Sequence, residues 1–134
     1  MRTPADILRE AKTIAMVGAS PKPDRPSNGV MRYLLQQGYD VIPVRPAGCD
    51  EVLGVPCVRT LAEVDRPIDV VDIFRRPEFT PAHAREAVAV GAGALWLQLG
   101  IVSAEARRIA EEAGLGYVED ACAAVVHRRD VRGA

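Results

Sequence analysis

At 134 residues, with 49% hydrophobic residues, 26% charged residues and a formal net charge of -1, the chain has the size and balance of one soluble globular domain, residues 1–134. These figures exclude a disordered chain, and with no basic excess nucleic acid is not an expected partner. Apolar stretches are broken by Gly, Pro or charge well before about 18 residues, and the N-terminus lacks a basic-then-apolar secretory plan, so no membrane partner is expected and the cytoplasm is the default address.

Thr3 reads as a helix N-cap, with Pro4 at the first helical position, Asp6 in the capping-box place, and Ile7, Leu8 and Ala11 as an apolar stripe. Ile14–Val17 is a continuous apolar run closed by Gly18, the pattern of a strand covered on both faces. Ser27 is positioned to cap a helix through Val30, Met31, Leu34 and Leu35 that Gly38 stops. Tyr39–Val44 gives a second strand and Ile68–Phe74 a third, with an irregular stretch between them. Thr80 and Pro81 repeat the cap-then-proline start, and Ala84, Ala87 and Val88 supply a buried stripe up to Gly91. Ala94–Leu99 is the fourth strand, Ser103 caps a helix burying Ala106, Ile109, Ala110 and Ala113, and a short fifth strand lies near Tyr117 and Val118. The polar tail after His127 is expected to fray. Strands alternating with helices of about ten residues make right-handed βαβ units. The fold class is therefore α/β: a Rossmann-like, doubly wound, five-stranded parallel sheet in three αβα layers, expected in the order 3-2-1-4-5.

In such a sheet ligands sit beyond the carboxyl ends of the strands, where strand order reverses. The loop Gly18-Ala19-Ser20 is small enough for backbone N–H groups to approach a phosphate, and the helix near Ser27 aims its positive end at the same place. Lys22 and Arg25 lie in that loop and can neutralise a diphosphate, Arg25 ahead of Lys22, the alternative being solvated loop charges. A GxGxxG fingerprint and an acidic residue at the end of strand two are both missing. Strand two instead ends in Val44-Arg45-Pro46, and a cation there suits a phosphorylated ribose, which occurs in NADP and in coenzyme A alike.

With these residues in order the chain resembles the small stand-alone coenzyme A binding proteins, whose domain is similar to the nucleotide-binding domain of the succinyl-CoA synthetase α subunit. The matching segments are Ile14–Ser20, Arg25-Pro26-Ser27 with Val30, Tyr33-Leu34 and Gly38-Tyr39, then Val41–Pro46, Asp69–Arg75, Leu95–Gly100 and Asp120-Ala121-Cys122. The resemblance implies that Gly18, Ala19, Ser20 and Arg25 hold the diphosphate, that Val44, Arg45 and Pro46 line the adenosine end, and that Phe74, Arg75, Gln98 and Gly100 surround the cleft. Two departures stand out: the family usually carries Asn where this chain has Arg45, and Arg where it has Ala121. Phe74 also fits core packing, and Gln98, closing an apolar run, needs a polar partner that is either ligand or backbone.

Cys49, Cys57 and Cys122 contain no CxxC pair and are odd in number, so neither a zinc site nor a disulfide framework follows and reduced thiols are expected. Cys122, after the fifth strand, is either a structural cysteine or a neighbour of the coenzyme A thiol. His83 reads as an exposed helix residue and His127 as solvated. No acid, base and nucleophile constellation emerges, so the leading expectation is a non-catalytic protein that binds coenzyme A or an acyl-CoA as its cofactor. The alternatives are an NADP-dependent oxidoreductase or nucleotide-sensing domain, and a regulatory subunit of an acyl-CoA enzyme. A homodimer is a further expectation.

Overall fold

The computed structural model describes residues 2–132. Thr3 Oγ1 accepts from the Asp6 N–H at 3.1 Å while Asp6 accepts from the Thr3 N–H at 3.0 Å, so the capping box opens α1 (Pro4–Glu10) as its sequence requires. The strand β1 (Thr13–Val17) is buried throughout. Helix α2 (Pro26–Gln36) starts two residues earlier than expected: Arg25 is the N-cap, Pro26 takes the first helical position, and Ser27 lies inside the helix, buried. Proline's fixed φ sets the start there, and Arg25, whose side chain has no acceptor, leaves the helix without a side-chain cap.

Next come β2 (Asp40–Val44), a small hairpin of β3 (Glu51–Val52) and β4 (Val55–Pro56), and β5 (Val70–Ile73). A 3₁₀ turn at Pro77–Phe79 leads into α3 (Thr80–Ala89), so Thr80 is the first helical residue rather than the cap, its hydroxyl donating to the Pro77 carbonyl at 2.7 Å. The chain continues through β6 (Ala94–Leu97), α4 (Ala104–Glu112) capped by Ser103 as expected, β7 (Gly116–Val118) and α5 (Ala123–Val126).

The sheet is parallel and five-stranded, ordered β2-β1-β5-β6-β7. Counting these strands from one to five, the order is 2-1-3-4-5 and not the expected 3-2-1-4-5. The stretch read as irregular explains the difference. Val58 forms a single parallel bridge with Val44, so the place outside β2 is taken by one residue, and the chain crosses over to pair β5 with the far side of β1. Pro43 is tolerated inside β2 because its peptide faces that outer edge, where its carbonyl accepts from the Val58 N–H at 3.0 Å. One face of the sheet packs Ile14, Met16, Val70 and Trp96 against Leu8, Met31, Leu34 and Ala123; the other packs Ala15, Val71 and Leu95 against Ala84, Ala87, Ala106 and Ala110. These are the two outer layers of an αβα sandwich.

Three expectations are corrected by packing that local sequence does not display. Cys49 and Cys57 flank the β3–β4 hairpin and are joined as a disulfide, with Cα atoms 5.7 Å apart. His127 is buried, its Nδ1 hydrogen-bonded with the Tyr33 hydroxyl at 2.8 Å, and burial, with the charge of Arg132 second, holds its imidazole below the ordinary value. The tail does not fray through Arg132: residues His127–Arg132 form a π-helical turn against α1, where Arg9 donates to the Asp130 carbonyl at 2.9 Å.

Candidate functional site

Strand order reverses at β1, which has β2 on one side and β5 on the other. Beyond the carboxyl ends of these strands lies a cleft of about 720 Å³, within the range of small-molecule sites. Gly18 turns the chain out of β1 with φ +87°, and a Cβ there would collide with the Phe74 carbonyl at the end of β5. Only glycine therefore lets the loop leave between the two strands. Its N–H is taken by the Val44 carbonyl at 2.9 Å, so Gly18 shapes the loop without offering a donor. The N–H groups of Ala19 and Ser20, by contrast, have no partner among the described residues. Asn28, buried in the first turn of α2, fixes the loop by donating to the Ser20 carbonyl at 3.0 Å, and the uncapped start of α2 adds its positive end.

The first wall of the cleft is built from Gly18, Ser20, Lys22, Arg25 and Ser27; Arg45, Phe74, Arg75, Gln98 and Cys122 complete it from the ends of β2, β5, β6 and β7. Ala19, Val44, Pro46 and Gly100 do not line it. Ala19 and Val44 are packed into the core, while Pro46 and Gly100 lie exposed to its sides. Pro26, Val30, Arg76, Leu99 and Ile101 also line the cleft and were not singled out from the sequence. Arg76 carried a signal, being a second cation immediately after Arg75; the other four, all apolar, carried none that separates a wall from a core.

Charge at the cleft is lopsided. Lys22, Arg25, Arg45, Arg75 and Arg76 line it, and none of them makes an ion pair among the described residues. Arg45 donates to the Ala19 carbonyl at 3.4 Å, while its buried Nε has no partner. Arg75 lies over the Phe79 ring at 4.3 Å and reaches His83 Nε2 at 3.4 Å; His83 Nδ1 in turn meets Glu86 at 2.6 Å. His83 is thus a buried prop for a cleft arginine, not the exposed helix residue expected, because α3 turns it under the loop after β5. Gln98 is buried and donates from Nε2 to Asp72 at 2.7 Å, and Asp72, wholly buried on β5, has its carboxyl pushed up to about 7 by burial, with the Gln98 hydrogen bond opposing. Cys122 is a half-buried free thiol at the head of α5. Unpaired cations around free backbone donors at the start of a helix are the chemistry of a polyanion site.

Residues 12–128 match the family model described as a CoA binding domain. The Bacillus subtilis protein YneT is 43% identical over 122 residues, spanning 91% of this chain and 90% of its own length. A solved structure of a Pyrococcus horikoshii protein shares 43% identity with a TM-score of 0.90, covering 96% of this chain and 92% of that one. An ADP-forming acetate–CoA ligase of Archaeoglobus fulgidus is 27% identical over 128 residues, which make up 87% of this chain but only 18% of the ligase. No helix among the described residues is long and apolar enough to cross a membrane.

Proposed function

Because the chain belongs to the CoA binding domain family, we propose that it binds coenzyme A or an acyl-CoA in this cleft as a cytoplasmic carrier, without catalysing a reaction on it. The observation that carries the reading is the set of cleft cations without carboxylate partners in a chain whose net charge is only -1. Coenzyme A, with a diphosphate and a ribose 3′-phosphate, is a ligand that such a set can neutralise. In this reading the Ser20 N–H and the start of α2 take the diphosphate, helped by Arg25 and Lys22, and Arg45 takes the ribose phosphate. The pantetheine arm then runs past Phe74 and Val30 toward Gln98, bringing its thiol to the side of Cys122.

The non-catalytic part of the proposal rests on the roles the cleft groups already have. Its cations suit anion binding, Gln98 is neutral, and the buried His83 is committed to Arg75 and Glu86. The relation to a small part of a much longer ligase supports a carrier that serves an acyl-CoA enzyme supplied as a separate partner. Calorimetric titration with coenzyme A, acetyl-CoA, dephospho-CoA, NADP and NAD tests the reading. Coenzyme A should bind and raise the melting temperature by mass action, with dephospho-CoA weaker by the lost Arg45 contact. Binding of NADP alone would overturn it in favour of a redox or nucleotide-sensing role.

A further inference from the structure

Asp72 is a charged residue at a core position. Alternation along β5 puts its side chain on the face of Val70, in register with Met16 on β1 and Trp96 on β6. Its Oδ1 accepts from Gln98 Nε2, and its Oδ2 is sealed from solvent without a partner. A buried carboxylate with one oxygen unsatisfied costs stability, so it needs a reason to be there.

The reason lies one residue along, in what Asp72 does to Gln98. A primary amide has a donor end and an acceptor end, and they exchange places by half a turn about the last side-chain bond. By taking Nε2, Asp72 leaves Oε1 as the end without a protein partner, and Oε1 is not among the sealed polar atoms. Gln98 lines the cleft, so the atom offered to a ligand is an acceptor.

We propose that Asp72 is a positioning residue that sets which end of Gln98 the cleft presents: an acceptor for a ligand N–H or O–H while Asp72 is ionised, a donor once it is protonated. The inference rests on the coenzyme A reading, in which the group facing Gln98 belongs to the amide-bearing pantetheine arm. Protonation at Oδ1 turns that atom into a donor; the Gln98 oxygen must then swing round to accept from it, and the amide nitrogen faces the cleft. Burial pushes the carboxyl up to about 7, which puts the exchange between the two arrangements around neutrality. The elements packed round Asp72 bring no opposing charge: β1 offers Met16, β6 offers Trp96 and Gln98, and the covering helices α2 and α5 present Val30, Met31, Ala123 and Ala124 to that face. None of the titratable groups lining the cleft, Lys22, Arg25, Arg45, Arg75, Arg76 and Cys122, adds to its shift, whose causes are burial and, opposing it, Gln98.

The test compares coenzyme A affinity of the wild type and Asp72→Asn from about pH 6 to about pH 8.5. The ligand's own phosphate titrates identically with both proteins, so their affinity ratio isolates Asp72. That ratio should rise about fivefold toward alkaline pH, the effect of one hydrogen bond, and Gln98→Met should abolish the rise. A ratio independent of pH overturns the proposal. A second readout needs no ligand: in ¹⁵N-labelled unliganded protein the Gln98 side-chain amide resonances should move with pH in the wild type and stay still in Asp72→Asn. If they stay still in both, Asp72 does not orient Gln98. If coenzyme A fails to bind while the resonances move, the carrier reading fails and the positioning role stands.

Discussion

The two ends of the sheet treat polar groups in opposite ways. At the amino end Asp69 accepts from the backbone N–H groups of both Lys12 and Thr13 at 2.9 Å, and Asp40 takes Arg66 at 2.9 Å and the Thr13 hydroxyl at 3.3 Å. Arg2 there donates to the Gly93 carbonyl at 3.0 Å. At the carboxyl end the N–H groups of Ala19 and Ser20, Arg45 Nε and Asp72 Oδ2 are all without partners among the described residues. Since one chain supplies both ends, the contrast is not a matter of composition. Groups satisfied within the protein hold the strands in place; of the groups left over, those that border the cleft are open to a ligand, while Asp72 Oδ2 is sealed in the core.

The contrast can be broken most forcefully at Asp72. The folded chain holds its proton with a pKa of about 7 against 3.8 for an unperturbed carboxyl, so between these values the native state binds more protons than the unfolded one. The stability this gives is full below pH 3.8, is lost as pH rises through about 7, and is absent above it. Asp72→Asn should remove that penalty and stabilise the protein at pH 8 by up to roughly 4 kcal/mol, read by urea denaturation, with the gain vanishing toward pH 4. A variant less stable than the wild type at pH 8 would mean that Oδ2 is satisfied in solution.

A smaller effect is expected at Arg45, and on a different quantity. Arg45→Ala should weaken coenzyme A binding about tenfold or more, the worth of a charged hydrogen bond, with little change for dephospho-CoA and no loss of stability. An equal loss for both ligands would move Arg45 from the ribose phosphate to the diphosphate. Smallest of all is Arg66→Ala, which removes a solvent-exposed pair at the amino end. Its melting temperature should shift barely beyond the limit of measurement, and its coenzyme A affinity should be that of the wild type. Any change in affinity would show that the two ends are coupled.

What could be read from the sequence follows the range of the interactions involved. The Thr3–Asp6 box, the Ser103 cap and the both-face-buried run of β1 depend on neighbours within a few residues, and they stand where expected. The side of β1 on which β5 pairs depends on how the chain between residues 45 and 68 is spent, and a strand reduced to the single bridge at Val58 has no periodicity to announce it. The Cys49–Cys57 pair was hidden for the same reason, since the hairpin that brings them together has strands of two residues each. Most of the cleft was legible because its residues cluster just after strands, which is a rule of topology. Asp72 was legible in principle, as a carboxylate inside Val70-Val71-Asp72-Ile73, a run whose neighbours are all buried. His83 and His127 were not, because Arg75 and Tyr33 reach them only in three dimensions.

The bridge at Val58 also bears on how this protein avoids sticking to itself. Val41, Pro43 and Arg45 turn their peptide groups toward the outer edge of β2, where a foreign strand would add. Pro43 has no N–H, and its carbonyl is occupied by Val58; the Arg45 N–H is occupied by the Val58 carbonyl at 2.8 Å. An approaching strand is left with the groups of Val41 alone, too little to seed a ladder, so a single residue protects an edge that would otherwise invite aggregation.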